Sequence, residues 1–528
     1  MVEISNGNQC TCTLVRNRLR RQYLQPSTRK LRKRSINIYK ICRCRSSSQL
    51  QTNGPPKEAR LRVFNLTVPI AKDPGKDQIS VTDSLETEVR KILKKFKIKV
   101  ESDDIQVVRK SFDARKEDKK SWRYTVDVQV RLPLKKFKEI PGKIELIDAD
   151  SSEFQSWVGE MHGDAKNYRG KSPVVVVGSG PGGLFAALRI SSCGIPVILL
   201  ERGRPVEDRG RDIGALFVRK QVDPESNLCY GEGGAGTWSD GKLTTRIGRN
   251  DDPVRKVLET LCFFGAPQVR DKLSFLRAFS DDFNDAFANQ KFATHQEILR
   301  TGKPHLGTDR LVRILQSFRR HLFALGVEIR FSSKVTRLLV SDKNQVYGVE
   351  VDDGSTIECE SCVLAIGHSA REIYDHLQGI GVSMESKPFA VGFRVEHPQD
   401  LINRIQYGDR DANLVNQGKG PLPVADYKLA TDISSRGIYS FCMCPGGQIV
   451  PTSTREDELC INGMSFSRRN SRWANAALVS TVDNRDWDYL TEAHGCALAG
   501  VAFQREIERY AILLSSMISP DDFPQLLL

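Results

Sequence analysis

Apolar and polar residues follow a strand–helix–strand–strand order between residues 58 and 150. Arg60–Val68 alternates with a period of two, and Ser84–Lys97 then carries apolar residues at helical spacing. Alternation returns over Ile105–Ser111 and Trp122–Leu132. A period of two is typical of a half-buried strand, and a period near 3.6 is typical of an amphipathic helix. The pattern therefore predicts a small α/β module of βαββ type.

A different pattern begins near residue 171, after a polar stretch. Val174–Val177 and Pro196–Leu200 are unbroken apolar runs, and Leu184–Ser192 between them has helical character. Strands covered on both faces read as continuous apolar runs, and strands that alternate with helices favour a parallel sheet. We therefore predict a buried parallel sheet in this region.

The loop after the first of these runs has the glycine spacing of a dinucleotide-binding Rossmann unit. Gly178, Gly180 and Gly183 follow the strand as G-x-G-x-x-G, and Glu201 ends the second strand eighteen residues later. These glycines permit a tight turn, close approach of a pyrophosphate and close helix packing. The helix N-terminus offers N–H groups to phosphates, and the carboxylate accepts hydrogen bonds from ribose hydroxyls. The predicted cofactor contacts here are Gly178, Gly180, Pro181, Gly182, Gly183, Glu201 and Arg202.

Several segments together resemble a known group of flavoproteins. Val177–Leu188 with Leu199–Gly203 resembles the glutathione-reductase-type FAD superfamily. Further segments resemble the bacterial and plastid FAD-dependent dehydrogenase family, and the resemblance runs from about Arg60 to Tyr510. Those segments are Gly231–Leu243, Val363–Arg371, Phe441–Gly447 and Asn462–Ser465.

The resemblance implies an FAD-dependent oxidoreductase in which the flavin is the redox centre. It implies FAD rather than NAD at the glycine loop. From the residues alone, Glu201 disfavours a 2′-phosphate, although Arg202 and Arg204 follow it closely. The small-molecule substrate and the oligomeric state do not follow from the sequence.

A second glycine-rich loop spans Gly231–Gly241, with five glycines in eleven residues. Such a loop lets backbone amides approach a flat ligand or a phosphate without side-chain interference, although a surface turn has the same composition. We predict contacts to the pyrophosphate or the isoalloxazine, with Lys242 as a positive charge beside the flavin. The residues expected to make these contacts are Gly233, Gly234, Gly236, Ser239 and Lys242.

Two later segments extend the predicted site. The resemblance implies that the backbone at Val335 contacts the adenine and that the strand end Ala365-Ile-Gly367 approaches the cofactor, with Ile366 where the superfamily has Thr. His368 follows directly. It is a candidate for a functional contact, with Lys242 the other weak catalytic candidate, and the alternative is a loop histidine that only forms a hydrogen bond. Thr308 is the predicted N-cap of the helix that carries Arg310, a residue either near the phosphate or ribose side or simply solvated.

A chain of 528 residues exceeds one ordinary core, so several domains are expected. The fold class that we predict is α/β, with an FAD-binding Rossmann-type domain, an inserted β-rich substrate domain and the small N-terminal module. In the inserted domain the polar candidates are Arg394, Tyr427, Arg468 and Asn475. The predicted segments are 1–57 as transit peptide or disordered arm, 58–150 as module, 171–378 as FAD domain, 379–500 as inserted domain and 501–528 as an incomplete C-terminal segment.

Two features expected of a complete flavoenzyme are missing from the sequence. There is no second G-x-G-x-x-G between an apolar strand run and a helical segment, so NAD(P)H is expected to bind transiently at the flavin face, if it is the electron donor. The superfamily's late Gly-Asp-type segment is not recognisable after Gln504–Tyr510, so the chain looks truncated. An alternative to an active enzyme is therefore a catalytically impaired regulatory isoform.

Thirteen cysteines show no disulfide-framework or zinc spacing, and no metal site is expected. Cys359 and Cys362 precede a buried strand rather than a helix N-terminus, where a thiolate would be stabilised. Cys442 and Cys444 lie on a predicted strand, where alternation turns both thiols to one face. We expect neither pair to be redox-active.

The net charge of +14 is concentrated in the leader. Residues 1–50 hold twelve Lys and Arg and one acid, whereas the remainder holds 67 basic and 64 acidic residues. This composition predicts an organelle transit peptide, with the chloroplast ahead of the mitochondrion because of the serine run; a disordered or nucleic-acid-binding arm is the alternative. Lysines in the 58–150 module leave a flavin-binding RNA-associated protein as a second function, although nucleic acid is not expected. No run approaches the length of a membrane span.

Overall fold

The computed structural model describes residues 2–4, 57–76, 78–114, 120–132, 139–147, 172–243, 252–265 and 298–517. The prediction of a transit peptide over residues 1–57 falls almost entirely outside these residues, and so does the end of the predicted C-terminal segment, residues 518–528. The strands are β1 Val2–Ile4, β2 Lys57–Pro69, β3 Ile105–Asp113, β4 Ser121–Leu132, β5 Ile144–Ile147, β6 Val174–Val177, β7 Val197–Leu200, β8 Glu328–Arg330, β9 Val335–Val340, β10 Val346–Val351, β11 Thr356–Glu358, β12 Cys362–Leu364, β13 Phe389–Pro398, β14 Ala430–Ile433, β15 Arg436–Cys444, β16 Gly447–Pro451, β17 Ile461–Ser465 and β18 Trp473–Val482. The helices are α1 Asp83–Lys94, α2 Pro181–Ser192, α3 Val206–Arg219, α4 Asp252–Phe263, α5 Thr308–Ala324, α6 Arg371–Gly379, α7 Gln399–Tyr407, α8 Asp409–Asn416, α9 Asn484–Trp487 and α10 Thr491–Met517.

The N-terminal module is an antiparallel sheet in the order β3-β4-β2-β5 with α1 against one face. Thr82 caps α1 by accepting a hydrogen bond from the Leu85 N–H, and Leu85, Val89 and Leu93 are buried at helical spacing. The predicted strand–helix–strand–strand order is found. The sequence analysis missed β5, because four residues are too few to show an alternation.

The lysines of this module divide into two kinds. Lys94, Lys95, Lys97 and Lys99 are exposed around the end of α1, as on any solvated face. Lys110 is buried, and its ammonium donates to Asp73 Oδ1 at 2.6 Å and to the carbonyls of Gly75 and Gln78. Its charge is therefore paired inside the module and does not face solvent.

The central domain is built on a parallel sheet in the order β12-β6-β7-β8. All four residues of β6 and of β7 are buried, since helices cover one face and the antiparallel sheet β11-β10-β9 with α6 covers the other. At the edge, β1 pairs antiparallel with β12, so three residues of the segment for which we predicted no element form a strand. Gly307, not Thr308, is the N-cap of α5, and the Thr308 hydroxyl donates to the Ser239 carbonyl instead.

The inserted domain is a four-stranded antiparallel sheet in the order β13-β18-β15-β14, with the hairpin β16-β17 beside it. The predicted boundary between residues 500 and 501 falls inside α10. This helix returns to the central domain, where Arg371 at the start of α6 pairs with both carboxylate oxygens of Glu508 at 2.9 and 3.0 Å. In the part of the chain described, no helix is both long and apolar enough to cross a bilayer.

Candidate FAD site

A cleft of about 510 Å³ opens at the carboxyl ends of β6, β7 and β12. This is the edge of a parallel sheet where ligands bind, because the loops after the strands diverge there. The loop after β6, the turn after β7 and the strand end after β12 form its walls. Predicted contacts that line the cleft are Gly178, Gly180, Pro181, Gly182, Glu201, Arg202, Gly234, Gly236, Val335, Ala365, Gly367 and His368.

The glycines of the first loop are required by close backbone contacts. Gly178 has a φ of +98°, and a Cβ there would lie 2.5 Å from the Ala365 carbonyl oxygen. A Cβ on Gly183 would lie 1.7 Å from the Gly178 carbonyl oxygen, so α2 packs directly on the loop. A Cβ on Gly180 would meet only Gly234 Cα, at 3.8 Å. The two glycine-rich loops therefore approach each other and leave a floor of bare backbone.

The Glu201 carboxylate binds the backbone of both glycine-rich loops. It is buried and accepts four hydrogen bonds, from Ser179 N–H and Oγ and from the N–H groups of Gly203 and Gly231, at 2.7 to 3.0 Å. A carboxylate has about four acceptor positions, so all are used within the protein. A ribose hydroxyl can reach Glu201 only where it replaces one of these donors, and the Ser179 hydroxyl, which rotates freely, is the replaceable one.

Arg202 forms a charged part of the cleft wall. Its guanidinium stacks 3.8 Å above the Tyr230 ring and donates to Glu225 and Glu372, each at 2.6 Å. Although burial alone would lower the pKa of Arg202, the two carboxylates raise it. Lys334 joins the cluster through Glu225 at 2.8 Å. The cation predicted from its place after Glu201 is therefore present in the cleft but already paired.

The sequence analysis missed Arg209, which shapes the second glycine loop. Its side chain is fully buried and donates to the carbonyls of Asn227, Leu228, Gly231 and Glu232, at 2.7 to 3.3 Å. Burial lowers the pKa of Arg209 to about 10, so the guanidinium stays charged at neutral pH. An arginine on a helix carries no sequence signal of burial, since this residue type is mostly exposed.

Four predicted contacts do not line the cleft. Gly183 and Gly233 are packing positions, and a Cβ on Gly233 would lie 2.3 Å from the Leu315 side chain. Ser239 donates to the Gly236 carbonyl. Lys242 points into the inserted domain, where its ammonium donates to the Met443 carbonyl and lies 3.1 Å from Asp240.

The end of the second glycine loop is fastened to the inserted domain by side chains. Asp240 is buried and accepts from Ser465 Oγ and from Arg469 at 2.7 Å. Lys242 Nζ lies 3.9 Å from Cys442 Sγ and 3.7 Å from Cys444 Sγ. We call this contact, formed by Asp240, Lys242, Cys442, Cys444 and Ser465, the seam. Despite desolvation, His305, Arg469 and Lys242 keep the pKa of Asp240 far below its usual range.

His368 lies on the wall of the cleft beside the end of β12. Desolvation and the nearby charge of Arg371 lower its pKa, so the imidazole is neutral at neutral pH. Of the inserted-domain candidates, Arg394 and Asn475 contact each other at 2.7 Å near the seam. Tyr427 instead pairs with His397 at 2.9 Å, and Arg468 is exposed.

The cleft fits a dinucleotide of the size of FAD. Its volume lies within the range of small-molecule sites, about 300–1,000 Å³. Positions Gly236 and Gly367 face open space, since a Cβ on either would meet nothing within 4 Å. At the N-terminus of α2, Gly182 and Gly183 present bare backbone N–H groups after Pro181, and such groups suit a pyrophosphate. This arrangement defines a nucleotide-binding flavoprotein of the Rossmann type.

Three family models match the chain. Residues 173–208 match "FAD binding domain", residues 240–406 match "Flavin containing amine oxidoreductase" and residues 388–520 match "FAD-dependent protein, C-terminal domain-like". A protein of Clostridium beijerinckii with no described function is 36% identical over 439 residues, which cover 83% of this chain and 73% of that protein. The chain therefore belongs to the same family as this bacterial relative. The matches to the flavin models make it an FAD-dependent oxidoreductase.

More distant relatives cover smaller parts. The FAD-dependent monooxygenase nodY2 of Hypoxylon pulicicidum is 25% identical over 46% of each chain, so this chain spans less than half of that relative's length. Among solved structures, the amino acid oxidase NikD is 15% identical over 62% of this chain and 77% of its own, with a TM-score of 0.28.

Proposed function

We propose that this flavoenzyme, of the glutathione-reductase type, acts on a small anionic substrate at the seam. The observation that supports the substrate class is Arg394. Its guanidinium donates to the side-chain oxygens of Asn475 and Asn462, at 2.7 and 2.8 Å, and to the Cys442 carbonyl at 3.3 Å. All three acceptors are neutral, and within the described residues no carboxylate pairs with Arg394. A half-buried cation held by neutral acceptors favours an anion beside it.

The cleft and the seam have separate tasks in this proposal. When bound, FAD supplies two-electron redox chemistry. The bare loops hold the pyrophosphate, and Arg209 and Glu201 keep those loops in place. Arg394 binds the negative group of the substrate. Lys242 fixes the end of the second glycine-rich loop against β15. The inserted domain would thereby orient the substrate and exclude water from it.

The electron donor is the next element of the proposal. Because only one G-x-G-x-x-G of the described chain lies between a strand and a helix, NAD(P)H would bind transiently at the face of the flavin. The match to the amine oxidoreductase model favours a second candidate, in which an amino acid or another amine is the donor.

The experiment is anaerobic reduction of the purified, flavin-loaded full chain. NADH, NADPH and a panel of amino acids are each added, and the bleaching of the visible flavin absorbance is followed. Bleaching by a nicotinamide supports the first candidate, and bleaching by an amino acid supports the second. No bleaching by any of them would contradict both.

A matched pair of substrates then tests the anionic class. For the reactive donor or acceptor, the carboxylate form is compared with its neutral amide. In Arg394→Gln, we expect kcat/KM for the carboxylate substrate to fall at least about tenfold and kcat/KM for the amide substrate to change little. Arg436→Gln is the control, because Arg436 pairs with Asp486 at the exposed surface. Equal losses for both substrates would contradict a charge-recognition role.

We also propose import into the chloroplast, with the mitochondrion as the competing destination. The support is the arginine-rich, acid-poor composition of residues 1–50. A fusion of residues 1–57 to a fluorescent protein, imaged in plant cells, tests this. Fluorescence in the cytosol or the nucleus would contradict it.

A further inference from the structure

Cys442 and Cys444 lie together where β15 becomes irregular. The pairing of β15 with β18 shifts register between Phe441 and Cys444, and Cys442 has a φ of +46°, which is unusual for a residue other than glycine. Simple alternation, which we expected for this strand, therefore does not hold here. Cys444 is buried and donates to the Cys442 carbonyl at 3.2 Å, whereas Cys442 is partly exposed.

The ammonium group of Lys242 lies beside both sulfur atoms. Lys242 Nζ lies within 4 Å of each and is anchored by the Met443 carbonyl between them and by Asp240. A second cation, Arg394, donates to the Cys442 carbonyl. Positive charge beside a thiol stabilises its thiolate, which is the nucleophilic form.

The electrostatics of the two thiols differ in direction. The neighbouring Cys444 thiol, together with Lys242 and Arg394, lowers the pKa of Cys442, although burial and Asp240 oppose the change. The neighbouring Cys442 and burial raise the pKa of Cys444. The surroundings therefore favour the thiolate of Cys442 and the protonated thiol of Cys444.

We propose that Cys442 and Cys444 form a dithiol centre that exchanges with small disulfides, with Cys442 as the nucleophile and Cys444 as the resolving thiol. This goes beyond flavin chemistry, and it does not depend on the identity of the flavin's substrate.

The exchange proceeds in two steps. The Cys442 thiolate attacks one sulfur of a disulfide RSSR, so that a Cys442–SR bond forms and one RS⁻ leaves. Cys444 then loses its proton to a departing thiolate and attacks the Cys442 sulfur, which releases the second RS⁻. One protein thiolate, one protein thiol and one disulfide thus become one protein disulfide, one RSH and one RS⁻, and the RS⁻ takes its proton from water. Lys242 is placed to stabilise the thiolate at each step.

The other closely spaced pair shows what an inert arrangement looks like. Cys359 and Cys362 are buried, and desolvation raises the pKa of both, that of Cys359 to about 11. No cation among the described residues hydrogen-bonds to either sulfur. Spacing alone does not separate the two pairs, whereas the charge around them does.

The first test measures alkylation by iodoacetamide in the full chain as a function of pH, with the modified peptides quantified by mass spectrometry. An ordinary thiol has a pKa of about 8.5 and is nearly all protonated in weak acid, so Cys442 should react about tenfold faster than the exposed Cys496 near pH 5.5. Lys242→Met should move the pH midpoint of Cys442 upward by about one unit, and Cys444→Ala should move it further. Cys442 reacting no faster than Cys496 would overturn the proposal.

The second test adds glutathione disulfide to the full chain, with and without FAD. The wild type should form a Cys442–Cys444 disulfide, and Cys444→Ser should stop at the glutathione adduct on Cys442. Cys442→Ser should form neither product. An adduct that persists equally in the wild type and in Cys444→Ser would exclude a resolving role. Because the readout is covalent mass, it is independent of whether the flavin substrate has been identified.

Discussion

The nucleotide cleft and the seam are built from different parts of the polypeptide. The cleft is lined by bare backbone from loops that follow β6, β7 and β12, and its shape depends on residues that lack a side chain. The seam is assembled from side chains about 200 residues apart in sequence, such as Lys242 and Cys442. The first kind of site binds a cofactor common to many proteins, and the second kind is where one protein differs from another.

Their stabilising groups differ in the same way. In the cleft, buried charges satisfy backbone groups, as Arg209 does with four carbonyls and Glu201 with three N–H groups and one hydroxyl. In the seam, the Asp240 carboxylate pairs with Arg469 and Lys242 and accepts a hydrogen bond from Ser465. A change in the cleft should therefore release the cofactor, whereas a change in the seam should leave the cofactor bound and alter reactivity.

Arg209→Met should have the largest effect. Four loop carbonyls would lose their donor in a buried place, and at about 1 kcal/mol for each unsatisfied buried acceptor the total is about 4 kcal/mol. We expect the free energy of unfolding to fall by this amount and bound flavin to be lost, as measured by denaturant unfolding and by absorbance after gel filtration. Arg211→Met is the control, because that side chain is exposed and among the described residues pairs with Asp208 alone; it should change stability by no more than about 0.5 kcal/mol. Equal effects of the two substitutions would contradict the role given to Arg209.

Gly183→Ala should have the next largest effect. The added methyl would lie 1.7 Å from the Gly178 carbonyl oxygen, so the loop or α2 must shift. Overpacking of this kind costs about 3 kcal/mol, and flavin retention should be lost with it. Gly214→Ala is the matched control inside helix α3, where a Cβ meets nothing within 4 Å; it should stabilise the chain by up to about 1 kcal/mol. Full flavin retention in Gly183→Ala would contradict the packing argument.

These two residues also show what a sequence can and cannot predict. The close helix packing at Gly183 followed from the fingerprint, because a strand, a glycine loop and a helix are neighbours along the chain, but the predicted cofactor contact of Gly183 is not among the residues that line the cleft. The role of Arg209 was not predicted, since nothing local separates a buried arginine from a solvated one. Lys242 was predicted as a functional residue beside the flavin, but the structure turns it toward Cys442, and that placement depends on how a distant strand packs. The module's βαββ order followed from periodicity, whereas the four-residue β5 did not.

Glu232 gives a pH-dependent test of the cleft. Desolvation raises the pKa of this buried carboxyl to about 7, although it accepts hydrogen bonds from Val206 N–H and Arg319. Between about pH 4.5 and 7 the folded state therefore holds a proton that the unfolded state has lost, so stability is greatest below this window and falls as pH rises through it. Relative to Glu232→Gln, the wild type should lose about 3 kcal/mol across the window, as measured by chemical unfolding at each pH.

Glu207 is the control with the opposite sign. It shares Arg319 with Glu232, but despite some desolvation the pKa of Glu207 is lowered by that arginine. Its contribution should be present at neutral pH and lost as pH falls through its folded pKa. If Glu207→Gln and Glu232→Gln changed the pH profile in the same direction, the assignment of a protonated Glu232 would be wrong.

Ser465→Ala should have the smallest effect, and it tests whether the seam is independent of the cleft. The hydroxyl donates to buried Asp240, and loss of one hydrogen bond to a charged partner costs about 2 kcal/mol. Flavin retention should stay unchanged, because Ser465 does not line the cleft. Ser467→Ala is the matched control in the next loop, where the hydroxyl donates to Asp309 at the exposed surface, and it should cost little. Loss of flavin in Ser465→Ala would contradict this independence. In that case, a displacement of Asp240 would be passed along the second glycine-rich loop to Gly236 and Gly234, which line the cleft.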